Sequence, residues 1–301
     1  MMMRVTQQML HNNTLNQLNR NLSRLNEAQE QVSTGRSINR PSDNPAGTNL
    51  ALKLRSELAA NEQYQQNADS ALSWMEMTDG AMNQASNVLH RANELATQAA
   101  NGTLSDQDRE AISKEVDELR EQLIDVSNTK FRGKYIFNGE KTDQIPFPTK
   151  GVSNAEISEL DNTSLQTQVS GAAAIEYSLS AKEVFIGNNG GENVFNVLET
   201  LSANLKNNDQ SAISDSLKKV EASVDQVLNA WTSLGARQER MEAASSRLKD
   251  ANTNLQSLQS KTEDADIAEA VMKLKQEEAV YQASLSATAR IIQPSLMDFL
   301  R

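Results

Sequence analysis

Leu15, Leu18, Leu22, Leu25 and Val32 recur at alternating three- and four-residue intervals, with polar Gln29 at the remaining seam position. That spacing puts one apolar stripe on a helix whose other faces are Asn, Gln, Arg and Glu. A single narrow stripe does not offset the entropy of ordering so much backbone, so this helix needs a partner. Ile267, Val271, Leu274, Tyr281, Leu285 and Ile292 form a second stripe that ends around Pro294. The two stripes are complementary candidates for each other.

Two longer seams lie between them. Tyr64, Ala68, Ala71, Met75, Thr78, Met82, Ala85, Leu89, Ala92, Ala96 and Ala99 mark one helix face, so rich in alanine that a neighbouring helix can approach closely. Gly102 supplies a stop, and "SDQD" from Ser105 supplies a cap with acids in the first turn of the next helix. That helix carries Ile112, Val116, Leu119, Leu123 and Val126, with Glu110 and Lys114 as an i,i+4 pair. The last long seam runs through Ile213, Leu217, Val220, Val224, Val227, Trp231, Leu234, Met241, Leu248 and Leu255, interrupted by Gln238, Ser245 and Asn252.

The character changes after Lys141. Pro146 and Pro148 break any helix, "AIEYSLS" alternates Ile175, Tyr177 and Leu179 as a half-buried strand does, "EVFIG" reads as a second strand and "GNNGG" as a turn. A small β-rich insertion is therefore expected over 141–192. A second interruption, "GRSINRPSDNPAG", separates the first stripe from the first long seam. Pro41 biases Arg40 away from helix and Pro45 does the same to Asn44, while Asp43 or Asn44 can cap a helix that begins near Pro45. It reads as an ordered connector built on Pro41, Asp43, Asn44 and Pro45.

Composition narrows the function. The chain is 38% hydrophobic and only 4% aromatic, a balance that suits thin helical seams better than a thick core. Forty acidic against 29 basic residues give a net charge of -11, which disfavours nucleic acid. There is no cysteine, so neither disulfides nor thiolate metal sites arise. No apolar run reaches membrane-spanning length, and the N-terminal residues lack the apolar region of a cleaved secretory signal. His11 and His90 sit on different helices without companion ligands, and "EDAD" at Glu263–Asp266 lacks the glycine turn and closing glutamate of a calcium loop, so it reads as an acidic helix start. Met75 falls on a seam, and "GNNGG" lacks the lysine and hydroxyl of a phosphate loop. No catalytic residue, metal or cofactor is expected.

"LNEAQEQVSTGRSINRPSDNPAGTNLALKLR" resembles the N-terminal signature of the flagellin family, and "SLGARQERMEAASSRLKDANTNLQSLQSKTEDADIAEAVMKL" resembles its C-terminal signature. "NGTLSDQDRE", "FRGKYIFNGEKTDQIPF" and the ending "IIQPSLMDFL" are similar to the branch of that family that joins the flagellar hook to the filament. The likeness covers 1–148 and 230–301; the extra methionines at the start depart from the pattern, as does Asn44, where an acid is common.

The resemblance implies a mainly α fold with a small β insertion: a long antiparallel coiled-coil helix bundle, flagellin-like, plus a small β-rich domain. The expected parts are terminal coiled-coil helices at 1–40 and 262–301, disordered in the monomer; a long-helix bundle at 41–140 and 193–261; and an outer β-rich domain at 141–192. It also implies a secreted structural subunit of the bacterial flagellum that assembles with copies of itself. Its implied partners are a hook-associated protein on the hook side, flagellin on the filament side and a flagellar export chaperone at the C-terminal region. Two alternatives remain at this point, a filament subunit and a cytosolic coiled-coil interaction module.

Overall fold

The computed structural model describes residues 2–101, 104–147, 163–187 and 192–292. Among the described residues six α-helices carry most of the length: α1 Met2–Thr34, α2 Pro45–Ala100, α3 Asp106–Ser127, α4 Val194–Lys206, α5 Gln210–Glu263 and α6 Ile267–Ile292. Two short antiparallel hairpins accompany them. β1 Lys130–Phe131 pairs with β2 Lys134–Tyr135, and β3 Gln166–Gln168 pairs with β4 Ala174–Glu176 in the register Gln166 to Glu176.

The helices start and stop for local reasons. Ser105 accepts a bond from the Asp108 amide while the Asp108 carboxylate takes the Ser105 amide, a reciprocal capping box that satisfies two orphan donors of α3. Glu110 and Lys114 meet at 2.9 Å on the first turns. The Asn193 side chain caps α4 through the Phe195 amide. The expected stop at Gly102 lies outside the described residues.

The chain divides into two compact units, one of residues 1–60 with 251–301 and one of residues 61–250. The second unit holds the large core. On α2 the alanine-rich seam from Ala68 to Ala99 is buried throughout, with Tyr64 half-buried at its edge. On α5, Ile213, Val220, Val224, Val227, Leu234, Met241 and Leu248 are buried, while Leu217 and Trp231 are partly covered. Within this unit α2 and α5 run antiparallel, tied by Asn61 donating to the Leu248 carbonyl at 2.8 Å and the Trp231 indole donating to Asp79 at 2.6 Å. Ser245, a polar seam residue of α5, donates to Asp69 at 3.4 Å. Helices α3 and α4 pack together and exchange Lys206–Asp117 and Arg120–Glu199 ion pairs.

The region expected to be β-rich departs from expectation in two particulars. "EVFIG" is no strand: Lys182–Ile186 forms a π-helical turn that places Val184 and Phe185 in the core. Apolar burial of both residues from one turn satisfies the run of hydrophobics without a sheet partner, and Phe185 meets Phe137, Phe147 and Phe195 at 5.4–5.9 Å. The first hairpin falls at 130–135, ahead of the expected start of the insertion. Its two-residue turn carries Arg132 at φ 51° and Gly133 at φ 82°, the left-handed pair that a tight hairpin of this length uses. Asn188–Gly191 of the expected "GNNGG" turn lie outside the described residues.

Four phenylalanines at 0% exposure meet one another in this cluster of the second unit. Phe185→Ala is expected to cost about 3–4 kcal/mol in urea-induced unfolding of that unit, by lost transfer energy plus a cavity. Met77→Ala, at an exposed position of α2, should change stability by less than about 0.5 kcal/mol. Equal effects from the two substitutions would contradict this assignment of the core.

Candidate assembly site

The first unit is organised by the pairing of α1 with α6 and by the two interruptions that precede α2 and α6. Helix α1 ends at Gly35, whose φ of 70° is the left-handed stop that favours glycine, and whose amide donates to the Gln31 carbonyl. Thr34 then donates to Asn39 at 2.8 Å, and Arg40 pairs with Glu30 at 2.8 Å, folding the connector back on its own helix. Asp43 accepts the amides of Arg40 and Asn39 at 2.8 and 3.2 Å. Asn44 accepts the Gly47 amide at 2.9 Å and so caps α2, which begins at Pro45. A Cβ on Gly47 would stand 2.6 Å from the Ile38 Cδ1 and 2.7–2.9 Å from the Asn44 amide, so it would press on the capping side chain.

The second interruption has the same logic. Asp266 caps α6 through the amides of Ala268 and Glu269, and Asp264 accepts from Ser260 at 2.5 Å. The two interruptions are stitched to each other. The Ser37 amide donates to the Glu263 carbonyl at 2.7 Å, the Ala265 amide donates to the Gly35 carbonyl at 2.9 Å, and Arg36 and Asp264 form an antiparallel bridge. Glu263 is 2% exposed, and its carboxylate receives Arg55 at 2.6 Å and lies 3.8 Å from Arg36. Reading the sequence assigned "EDAD" to a helix start, which Asp266 fulfils; Glu263 was missed, because its cation partners are 208 and 227 positions away. A glutamate on the final turn of a long helix is a weak local hint, since acids are unfavourable at that end unless a cation meets them.

Along the α1–α6 pair the packed line is offset by one position from the most apolar one. Asn21 and Ala28 on α1 and Ala270 and Thr288 on α6 are buried. Leu18, Leu25, Val32, Leu274 and Tyr281 are half-buried beside them. Leu15, Leu22, Ile267, Val271 and Leu285 remain 39–50% exposed, and the Ile292 side chain lies outside those described. The seam itself is polar in its middle. Asn21 donates to Ser284 at 2.6 Å, Arg24 donates to Asn21 at 2.5 Å and stands 3.6 Å from Glu277. Buried polar pairs of this kind fix register but contribute little net stability.

Apolar exposure is correspondingly uneven. Of the twelve large hydrophobic residues exposed among the described residues, ten belong to the first unit, although it is the shorter. They include Met9, Leu50, Leu52, Leu258 and Met272 besides the five seam residues. The continuous hydrophobic core cluster lies wholly within the second unit.

Two outcomes follow for the stitched interruptions. Glu263→Ala leaves Arg55 and Arg36 without their carboxylate. The arginines are nearly half exposed, so screening limits the loss to about 1–2 kcal/mol. The informative readout is hydrogen exchange at the Ser37 and Ala265 amides, expected to accelerate by about tenfold; unchanged exchange there would show that the carboxylate does not hold the stitch. Separately, the backbone bond from Arg40 is the leading cause that holds the Asp43 pKa below its ordinary 3.8, in an exposed carboxyl. The folded value being lower than the unfolded one, Asp43 contributes stability above pH 3.8 that is lost as pH falls through the folded value. A carboxyl-carbon NMR titration should give a midpoint below 3.8, moving to the ordinary value if the turn is opened.

Comparison with known proteins gives these features a family. The model of the bacterial flagellin N-terminal helical region matches residues 5–142, and that of the C-terminal helical region matches residues 217–300. Flagellar hook-associated protein 3 of Salmonella typhimurium is 28% identical over 300 residues, covering 94% of this chain and 95% of its own. A flagellin of Halalkalibacterium halodurans is 25% identical over 273 residues, with 91% and 90% covered. Among solved structures, Bacillus cereus FlgL superposes with a TM-score of 0.58 at 22% identity, covering 69% of this chain and 99% of its own. The flagellar junction protein FlgL of Legionella pneumophila gives 0.57 at 17% identity, with 73% and 100% covered, so the fold is shared. With both helical regions matched in order and together spanning most of its length, the chain belongs to the bacterial flagellin family.

Proposed function

We propose that the chain is a structural subunit of the bacterial flagellum, working at the junction between hook and filament. The carrying observation is the concentration of exposed large hydrophobics in the unit formed by the two chain ends. A monomer that leaves Leu15, Leu22, Ile267, Val271 and Leu285 in water has a standing reason to associate through those ends. Each buried apolar surface then contributes ~25 cal/mol per Å² against the entropy of ordering. The polar Asn21–Ser284 pair sets the register of α1 on α6 without making that pair self-sufficient. The connector residues Pro41, Asp43, Asn44 and Pro45 hold the entry to α2 while the ends are engaged elsewhere.

The junction role draws on the hook-associated relative, aligned over nearly its whole length. Its partners in this reading are further copies of the chain, a hook-associated protein on the hook side and flagellin on the filament side. An export chaperone holds the C-terminal region before secretion, and the role is structural rather than catalytic. The flagellin relative of similar coverage favours a second reading, the filament subunit itself.

In this reading helices α1 and α6, outside the stitched interruptions, are mobile in a dilute monomer and become fully ordered on assembly. Hydrogen exchange of those amides should be fast in the monomer and slow by several orders in the polymer; strong protection in both would sink the proposal. A deletion strain should shed flagellin into the medium and carry no attached filaments, whereas normal attached filaments would exclude the junction role. Growth of long filaments by the purified chain alone would favour the second reading.

A further inference from the structure

The second unit contains a site that the assembly of the chain ends does not use. A cavity of about 330 Å³ opens beside the β1–β2 hairpin, lined by Trp74, Phe131, Arg132, Lys134, Thr167 and Tyr177 among others, and no carboxylate is among the described residues that line it. Trp74 is 7% exposed and meets Phe131 and Tyr177 edge-on at 5.9 and 6.0 Å, yet its indole N–H has no hydrogen-bond acceptor among the described residues. The Tyr177 phenol, whose pKa burial raises above its ordinary 10.0, is a donor as well. The wall therefore offers donors and cations.

The hairpin concentrates cations that have no carboxylate partner among the described residues. Arg91, Arg120, Lys206, Lys219 and Arg237 each have a carboxylate within 4 Å. Lys130, Arg132 and Lys134 form no ion pair with any described residue. Instead Lys130 rests 4.4 Å over the Tyr135 ring and the Arg132 guanidinium 5.1 Å over Phe131, contacts that hold both cations in place without neutralising them. Arg132 occupies a left-handed backbone position, where a non-glycine residue is uncommon and costs energy. In a chain of net charge -11, three uncompensated cations on one six-residue hairpin segment are an anomaly that a carboxylate ligand resolves.

The same unit carries the matching group. Glu118, Glu121 and Asp125 lie on one exposed face of α3, at spacings of three and four, and make no ion pair with any described residue. Their neighbours are differently employed: Glu115 takes Arg91 and Asp117 takes Lys206. This acidic stripe precedes the hairpin in the chain but does not neutralise it within one molecule.

We propose that the Arg132–Lys134 hairpin and its aromatic cavity receive the Glu118–Glu121–Asp125 face of α3 from a second copy of this chain. Such a contact joins two different patches, so it propagates from copy to copy and closes into a ring when the rotation allows. It rests on the assembly reading for the supply of neighbouring copies, but it uses none of the residues that drive association through the chain ends.

The experiment keeps the two contacts apart. Full-length chains carry Leu15→Glu and Val271→Glu to disable the terminal seam, and Trp231→Phe to leave Trp74 as the single indole reporter. The parent of this set should show a concentration-dependent change in Trp74 emission and sedimentation at low salt that disappears at high salt. R132E/K134E and E118K/E121K should each weaken it by about tenfold. Mixing the two variants, which pairs opposite charges at both mixed contacts, the native one and its charge-swapped counterpart, should recover most of the loss while circular dichroism stays unchanged. The proposal is overturned by absence of any concentration dependence in the parent, by indifference to either charge reversal, or by failure of the mixture to recover. Failure of chains with intact ends to polymerise would count against the assembly reading alone and leave this result standing.

Discussion

The weak, polar seam between α1 and α6 governs how the rest of the molecule is arranged. Two long helices that paired through their most apolar positions would bury Leu15, Leu22, Ile267, Val271 and Leu285 and have no further use for a neighbour. Here the pair meets one position aside, on Asn21, Ala28, Ala270, Ser284 and Thr288. Small and polar groups bury little apolar area, so the pair fixes alignment while its strongest hydrophobes stay available. Stability is placed elsewhere, in the core between residues 68 and 248. Assembly through the ends then proceeds without the folding of the second unit being at stake.

Such an arrangement needs the ends to be held at defined points of the chain, and the two interruptions do this. Pro41 and Pro45 force the first break, while Asp43 and Asn44 convert what would be loose backbone into capped turns. Asp264 and Asp266 do the same for the second. Either break alone would be a hinge with one strand of chain. The reciprocal bonds from Ser37 and Ala265, backed by buried Glu263 and its arginines, make them one element. A burial of charge so complete is tolerated because both cations reach the carboxylate from the solvent side.

Much of this was legible in the sequence because it is local. The alanine-rich face of α2, the Ser105 cap, the Glu110–Lys114 pair and the α5 seam follow from spacing and side-chain chemistry within a few residues. The helical fold and the family follow from several motifs in order. What escaped depends on partners distant in the chain. Glu263 looks like one acid among three until Arg36 and Arg55 are brought to it. The one-position offset of the α1–α6 seam escaped too, since Leu18, Leu25 and Val32 fit the packed line and the stripe alike. "EVFIG" misled for a different reason: a short apolar run fits a buried strand and a buried helical turn equally, and only the phenylalanine cluster decided between them.

Net charge has a second role once these pieces are in place. A polymer of chains at -11 accumulates repulsion with every copy added, and hydrophobic contact between the ends must overcome it. Cations left free at a defined place on the second unit lower that repulsion most where another copy's acids approach, and the Arg132–Lys134 hairpin stands beside the only described cavity wall that joins such cations to an unmet indole donor. Hydrophobic contact is non-directional, whereas an ion pair seated in an aromatic cavity has one geometry. In the proposed assembly, adhesion at the ends and orientation at the hairpin are therefore separable demands on the sequence, carried by different residues in different units of the chain.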